Sequence, residues 1–286
     1  MSQGRFYPVE NLPTPYHFQQ GDSPLLVSMP HCGTELLPNM KDSLTPQAQA
    51  LPDTDWYIPE LYDFLGSLNV STLSARYSRY VVDLNRPSDD KPLYHTKTTG
   101  LFPDILFSDQ PIFLTGHEFD SATKERITEH IWQPYHQKVA SELQRIQQQF
   151  GYAILFDAHS IAAQVPMLFT GTLPDFNLGN NSGKSCAPAM LQTIAALAEQ
   201  SPYTTVANGR FTGGYITRHF GQPHHNIHAV QLELSQATYL RDDCTSYQLD
   251  PEKLAQVRTV LKPMIESLLK MGNPADLRSN KDNKGE

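Results

Sequence analysis

The chain has 286 residues, of which 39% are hydrophobic, and 30 acidic against 22 basic side chains give it a formal net charge of −8. This hydrophobic fraction is enough for a sizeable core, and because lysine and arginine form no block, we expect a small-molecule substrate and neither a nucleic-acid nor an anionic-membrane partner. The widely spaced Cys32, Cys186 and Cys244, the absence of a signal-peptide start and the lack of an apolar run of the roughly 18 to 20 residues that span a bilayer predict a cytoplasmic protein without a disulfide framework.

The first half of the chain alternates strand and helix patterns. "PLLVSMPHCG" predicts a short buried strand that ends in a loop, and apolar residues at helical spacing predict a helix over 56–68. "VSTLSARYSRYVVDLNRP" predicts two strands, over 70–73 and 77–84. Residues 88–120 show no sustained period, and a loop this long is usually functional or mobile, so this segment is a candidate lid over a site.

The second half continues the alternation. We expect a helix over 121–149 that Pro134 kinks or splits, a strand over 153–157, a helix over 187–200, a strand, glycine turn and strand over 204–221, a strand around 229–234 and a long helix over 251–271. The polar residues 272–286 predict a disordered tail. The pattern predicts a single α/β domain over 1–271 whose mixed, mostly parallel sheet is flanked by helices.

Polar residues follow three of the predicted strands. His31, the pair Asn85–Arg86, and Asp157 with His159 each stand at such an end. Ligand sites of open α/β sheets gather at the carboxyl ends of the strands, so these residues could converge, although a single histidine is more often structural. A catalytic zinc ion needs about three nitrogen or oxygen ligands and one open position, which His31, His159 and one carboxylate would supply.

The carboxylate ligand has three candidates. Asp55 is the first choice, although Asp55 and Asp53 could each simply cap the helix predicted after them. Glu35, four residues after His31, is the alternative ligand, because a short loop could bring its carboxylate to the same ion.

Two further residues could carry chemistry. Glu233 stands within "AVQLELS" on the face opposite Val230, and it either faces solvent or, if the strand is central, points into a pocket where it could take a proton from a metal-bound water. Ser160 lies close to His159 and Asp157, but catalytic triads are assembled from separate segments and no G-x-S-x-G motif is present. The sequence therefore argues against a serine hydrolase.

Arginines near the strand ends predict a substrate that carries carboxylates. Arg79, Arg86 and Arg218 are candidates for bidentate pairing, Asn85 could add a hydrogen bond, and Tyr215 stands beside the paired glycines of "NGRFTGGYITRHFG", where backbone can approach a ligand closely.

Several segments in the same order resemble the N-formylglutamate amidohydrolase (N-formylglutamate deformylase) family. They are "VSMPHCGTELLP", "DTDWYIPELYDF", "ARYSRYVVDLNRPSDD", "TGLFP", "LFDAHSI", "PDFNLGNNSGKSC", "NGRFTGGYITRHFG" and "AVQLELSQATY". The resemblance implies the phosphorylase/hydrolase-like fold shared with zinc carboxypeptidases. It also implies a zinc-dependent hydrolase that cleaves N-formyl-L-glutamate to formate and L-glutamate in histidine degradation.

Carried over by position, His31, His159 and Asp55 look like the metal ligands and Glu233 looks like the general base. Asn85–Arg86 looks like the pair that holds a substrate carboxylate. The relatives usually draw the acidic ligand from a His-x-x-Glu motif, whereas here Thr34 stands at that position. Asp55 therefore stays first and Glu35 second. The alternative functions are an aspartoacylase-like N-acyl amino acid hydrolase and a non-catalytic metal- or carboxylate-binding protein.

Overall fold

In the part of the chain that the structure describes, seven strands form one mixed sheet with helices on both faces. The computed structural model describes residues 7–92, 98–242 and 246–276. The strands are β1 (Tyr16–Gln19), β2 (Leu25–Met29), β3 (Ser71–Ala75), β4 (Ala153–Ile161), β5 (Phe176–Gly179), β6 (Thr205–Ala207) and β7 (Ile227–Ser235), in the spatial order β1-β3-β2-β4-β7-β5-β6. Four of the six neighbouring pairs are parallel, which confirms the predicted mixed, mostly parallel α/β sheet.

Two hydrophobic layers hold the helices on the sheet. The α-helices are α1 (Ile58–Leu61), α2 (Ser121–Ile127), α3 (Gln133–Phe150), α4 (Pro188–Glu199), α5 (Tyr215–Phe220) and α6 (Pro251–Lys270). Helix α3 packs on the face that carries Leu26 and Leu155, whereas α4 and α6 pack on the face that carries Val27 and Phe156. Successive strand residues point to opposite faces, so the continuous apolar runs of β2 and β4 serve both layers.

Strand β4 is longer than predicted. It continues from the expected 153–157 to Ile161 because β7 pairs with it in parallel register along its whole length, so that His159 lies opposite Glu233. All nine residues of β4 are buried. The polar end of this strand is therefore buried within the sheet.

Two predicted strands are wrong. Residues 77–84 form turns, because buried Asp83 is held by side-chain partners, and these tertiary contacts override the β-propensity of the segment. Residues 215–220 form helix α5: Gly213 has a φ of +120°, and the Ile216 N–H donates to Asn85 Oδ1 at 2.8 Å, which satisfies a backbone donor at the start of the helix.

The helical predictions hold with local changes. The predicted helix over 56–68 is α1 followed by a 3-10 helix, Asp63–Leu68. The predicted break near Pro134 is a π-helical segment, Thr128–Trp132, between α2 and α3. Pro134 is the second residue of α3, so this irregular segment lies where the missing proline N–H interrupts the helical hydrogen bonds.

Residues 272–276 include a 3-10 turn, Pro274–Asp276, and the rest of the predicted tail lies outside the described residues, as does Cys244. Cys32 and Cys186 are free thiols. Among the helices of the described residues, none has the length and apolar character needed to cross a bilayer.

Candidate metal centre and active site

One cavity of about 540 Å³ opens at the carboxyl ends of the central strands. This volume includes the space through which the cavity opens to solvent. Seven of the residues proposed from the sequence as ligands, base or substrate contacts line it: His31, Asp55, Arg79, Asn85, Arg86, His159 and Glu233. Residues far apart in the chain thus converge because strands β2, β4 and β7 lie side by side and the turns after β3 fold over their ends.

Three buried side chains at the base of this cavity could hold a metal ion. His31, Asp55 and His159 each offer a ligand atom, and these atoms lie within 4.8 Å of one another. Asp55 Oδ2 is 3.0 Å from His159 Nδ1 and 3.8 Å from His31 Nδ1. Asp55 reaches this place because its own N–H donates to the carbonyl oxygen of His31 at 3.0 Å.

Each histidine has a buried carboxylate at its other ring nitrogen. His31 Nε2 lies 2.7 Å from Asp83 Oδ1, and His159 Nε2 lies 3.1 Å from Asp157 Oδ2. An ionised carboxylate can only accept, so His31 Nε2 carries the hydrogen of its contact and His31 Nδ1 presents its lone pair to the centre. His159 differs, because both of its ring nitrogens lie beside a carboxylate, Asp157 at Nε2 and Asp55 at Nδ1.

Asp83 accepts hydrogen bonds from both His31 and Arg79. Its Oδ2 accepts from Arg79 Nη2 at 2.8 Å, and its Oδ1 also accepts from the Asn85 N–H at 2.9 Å. Burial alone would raise the pKa of Asp83, but the hydrogen bond from His31 and the positive charges of Arg86 and Arg79 outweigh it and hold that pKa well below its usual range. Asp83 is therefore a fixed negative charge under the centre.

Glu233 lies beside the candidate ligands. It is opposite His159 in the β4–β7 register and only 8% exposed, because β7 is a central strand. Burial raises the pKa of Glu233 to about 8, with the negative charge of Asp55 adding to the rise. Of the two alternatives for Glu233, solvent-facing or buried in a pocket, the structure shows the second.

Ser160 is engaged by other partners. Its N–H donates to Asp55 Oδ2 at 3.2 Å, and its hydroxyl is hydrogen-bonded to the Tyr239 hydroxyl at 2.7 Å. These contacts support the argument against a serine nucleophile.

Asn85 and Arg86, at the end of the sequence "DLNR", contact different groups. Asn85 Nδ2 lies 2.9 Å from His159 Nε2, so the amide contacts the histidine ring. The Arg86 guanidinium donates to the carbonyl oxygen of Thr99, to that of Asn85 and to Thr98 Oγ1. Thr98 and Thr99 belong to the predicted candidate lid, which thus holds Arg86 at the cavity wall.

Side chains of the helical segment 128–150 hydrogen-bond to the backbone of Leu84 and Arg86. Trp132 Nε1 donates to the carbonyl oxygen of Arg86 at 2.9 Å, and His136 Nε2 donates to that of Leu84 at 2.9 Å. The two rings stack with centroids 3.9 Å apart. The π-helical turn that ends at Trp132 therefore supports the cavity wall.

Some candidate residues lie elsewhere. Glu35 is a surface residue whose carboxylate pairs with Arg76 at 2.8 Å, and Asp53 Oδ2 accepts from the Tyr80 hydroxyl at 2.9 Å. Arg218 Nε donates to the carbonyl oxygen of Gly213 at 2.7 Å, and Tyr215 stacks on His219. Within the described part of the chain, Glu35, Asp53, Arg218 and Tyr215 are not among the residues that line this cavity.

Sequence reasoning missed Asp83 and Arg210. Asp83 was treated as part of a strand, although an acid inside an apolar run was a usable signal. Arg210 lines the cavity from the loop after β6, and its Nε donates to the carbonyl oxygen of Leu168 at 2.7 Å. Its signal was the arginine that precedes the paired glycines of "NGRFTGG".

Comparisons with known proteins agree on one family. A family model described as N-formylglutamate amidohydrolase matches residues 23–240. The N-formylglutamate deformylase of Pseudomonas aeruginosa is 52% identical over 258 residues, with 89% of this chain and 96% of that protein covered. The N-formylglutamate deformylase of Pseudomonas putida is 50% identical over 257 residues, with the same coverage of 89% and 96%.

A solved structure matches the fold. The crystal structure of N-formylglutamate amidohydrolase from Ralstonia eutropha has a TM-score of 0.78 and 20% identity, and the match covers 91% of this chain and 98% of that one.

Proposed function

Because the chain belongs to the N-formylglutamate amidohydrolase family, we propose that it hydrolyses N-formyl-L-glutamate to formate and L-glutamate with one divalent metal ion, zinc. The observation that carries the proposal is the buried group His31, Asp55 and His159 beside Glu233 in one cavity. We further propose that residues 1–271 form one catalytic domain, since the elements that build this cavity belong to one sheet.

The donor set suits zinc. Ligand atoms at about 2.0 to 2.2 Å from a tetrahedral ion lie roughly 3.3 to 3.6 Å from one another. Asp55 Oδ2 lies 3.0 and 3.8 Å from the two histidine Nδ1 atoms, and the three ligand atoms all lie within 4.8 Å of one another. Two imidazoles and one carboxylate are typical of a catalytic zinc site that keeps a position open. Asp83 supports this assignment, because it fixes the His31 ring tautomer that leaves Nδ1 able to bind the ion.

A zinc ion bound there would polarise the formyl carbonyl and lower the pKa of a bound water towards about 7. Glu233 is the base in this proposal: its carboxylate takes a proton from the attacking water while the oxygen bonds to the formyl carbon. It then gives the proton to the amide nitrogen as the carbon–nitrogen bond breaks. The products are formate and L-glutamate, and Glu233 returns to its starting state.

Two nearby side chains would assist these steps. The Arg79 guanidinium lies 4.0 Å from Asp55 and is fixed by Asp83, so it can stabilise negative charge on the carbonyl oxygen without moving. Arg86 would bind a substrate carboxylate, while Asn85, which contacts the His159 ring, would position that ligand.

Formate release by metal-depleted protein tests the proposal. Extensive chelation, checked by elemental analysis, should abolish turnover, and added Zn²⁺ should restore it. Full-rate release of formate by protein shown to be metal-free would contradict the proposed mechanism.

The choice of acyl group is tested separately. Formyl and acetyl derivatives of glutamate and aspartate are compared at the same enzyme concentration, and N-formyl-L-glutamate should have the highest kcat/KM. A preference for an acetyl substrate would favour the aspartoacylase-like alternative. A protein that binds zinc but turns over none of the four substrates would favour the non-catalytic one.

A further inference from the structure

The cavity carries more positive charge at its walls than one substrate carboxylate needs. Arg79, Arg86 and Arg210 all line it. Arg79 is committed to Asp83 at 2.8 Å. Arg86 and Arg210 are the other guanidinium groups of this lining, and N-formyl-L-glutamate has two carboxylates.

The two arginines stand at different places relative to the candidate ligands. Arg86 follows Asn85, whose side chain contacts the His159 ring, so Arg86 is attached directly to the group that surrounds the ion site. Arg210 comes from the loop between β6 and α5. β6 is the edge strand on the far side of β5 and β7, so this loop approaches from the opposite end of the sheet.

Arg210 is held in a defined position. Its Nε donates to the carbonyl oxygen of Leu168 at 2.7 Å, and its guanidinium carbon lies 5.3 Å from the centre of the Phe211 ring. Leu168 and Phe211 also line the cavity. The Arg210 guanidinium is half-buried, held through its Nε and placed over a ring, so its planar group is fixed for paired hydrogen bonds to a carboxylate.

The substrate has a near and a far carboxylate. With the formyl carbon at the ion site, the α-carboxylate is separated from it by the amide nitrogen and Cα, and the side-chain carboxylate lies two methylene groups further. The near group would meet Arg86 and the far group would meet Arg210.

We propose that Arg210 binds the side-chain carboxylate of the substrate and makes the enzyme selective for an N-formylated dicarboxylic amino acid. This inference rests on the proposed function, whose substrate it makes specific. A neutral side chain in place of the far carboxylate would offer the half-buried Arg210 guanidinium no charge to pair with, which is how polar sites reject close analogues.

Three substrates of nearly equal shape test the assignment: N-formyl-L-glutamate, N-formyl-L-glutamine with a neutral side chain, and N-formyl-L-isoglutamine with a neutral α-carboxyl group. Wild-type kcat/KM should fall by about 10²-fold or more for each amide. In Arg210→Met, kcat/KM for N-formyl-L-glutamate should fall by about 10²- to 10³-fold and that for N-formyl-L-glutamine by less than about 5-fold, so that the side-chain preference disappears while discrimination against N-formyl-L-isoglutamine persists.

The controls separate this inference from the proposed function and from misfolding. Arg258→Met removes an arginine of α6 that pairs with Asp63 outside the cavity, and it should leave all three kcat/KM values at wild-type levels. Wild-type protein that releases no formate from N-formyl-L-glutamate would contradict the proposed function. Wild-type protein that is active but does not discriminate against N-formyl-L-glutamine would contradict only the role of Arg210.

Arg210→Lys decides the case if Arg210→Met does not fold, because lysine keeps the charge and most of the apolar stem. It should raise KM for N-formyl-L-glutamate about 10-fold and leave the constants for N-formyl-L-glutamine unchanged. An unchanged side-chain preference in either variant, or a loss of discrimination against N-formyl-L-isoglutamine in its place, would overturn the proposal.

Discussion

Asp83→Asn is expected to weaken metal binding or folding whichever way the new amide turns. In the wild-type protein, Asp83 is fully buried and accepts from His31 Nε2, from Arg79 Nη2 and from the Asn85 N–H. Asparagine has nearly the same shape, but one of its two terminal atoms is a donor. Either His31 Nε2 or Arg79 Nη2, both of which donate in the wild-type protein, must therefore face the amide NH₂ group, which is also a donor.

The first orientation keeps the histidine and loses the arginine. If the amide oxygen faces His31, the NH₂ group faces the Arg79 guanidinium, and a buried cation loses its ion pair. Breaking such a pair costs about 3 to 5 kcal/mol. Because Asp55 lies 4.0 Å from Arg79, we expect the lower end, about 3 kcal/mol, or roughly 6 °C in Tm.

The second orientation keeps the arginine and changes the histidine. If the amide oxygen faces Arg79, the NH₂ group donates to His31 Nε2, which must then give up its hydrogen. The hydrogen moves to His31 Nδ1, the atom that faces Asp55. That nitrogen can then no longer bind an ion, and loss of such a supporting carboxylate usually costs about 10- to 100-fold in metal affinity.

The assay measures both quantities on one sample. Zinc affinity is obtained by competition with a chelator, and the free energy of unfolding of the metal-free protein by denaturant titration. Asp63→Asn is the matched control, since it removes a carboxylate that pairs with Arg258 at the surface, and such pairs contribute about 0 to 1 kcal/mol. An Asp83→Asn protein with wild-type zinc affinity and wild-type stability would refute the role given to Asp83.

Three further predictions follow from the buried groups. Glu233→Gln should lose about 10²- to 10⁴-fold in kcat while it retains zinc. Its metal-free form should also be more stable than wild type at pH 8, because the pKa of Glu233 is raised to about 8 in the folded protein and ionisation above pH 4.5 therefore opposes folding. Equal thermal melts of the two metal-free proteins at pH 8 would count against this. His159→Ala should fold with severely weakened zinc binding and Asp157→Asn should show a milder loss; zinc content and Tm decide, since a purely structural His159 would lower Tm and leave zinc affinity unchanged. Burial lowers the pKa of His136 to about 3, so on acidification the unfolded chain protonates His136 before the folded protein does. The free energy of unfolding should therefore fall by about 3 kcal/mol between pH 6.5 and 4. Denaturant titrations of His136→Gln should show a weaker dependence of this free energy on pH, and an unchanged dependence would reject the role of His136.

The sequence predicted the parts of the fold that local patterns determine. The sheet class, α3, α4, α6 and the irregular character of the described parts of 88–120 followed from periodicity and turn residues. Residues 77–84 and 215–220 were predicted as strands because their side chains have high β-propensity. Each conformation depends on contacts with residues distant in the chain, such as that of Asp83 with His31 and that of Ile216 with Asn85.

The same limit explains the site. His31, His159 and Glu233 were predicted because each stands at or near the end of a recognisable strand. Asp83 was missed because its partner, His31, lies 52 residues away, and Arg210 because the position of its loop depends on the order of the strands. Side chains placed by strand ends are visible in a sequence, whereas those placed by turns between non-neighbouring elements are not.

The parallel register of β4 and β7 determines where the molecule can move. His159 and Glu233 sit on paired backbone at the middle of the sheet, so separating them would require rupture of its two longest strands. Their amides should therefore belong to the slowest-exchanging group in a hydrogen–deuterium exchange experiment, opening only when the whole protein unfolds. The groups proposed to bind the substrate, Arg86 held by Thr98 and Arg210 held by Leu168, lie on irregular backbone that can open at much lower free energy. Substrate entry would then involve fluctuations of the cavity wall alone, while the reacting groups keep their spacing through every catalytic cycle.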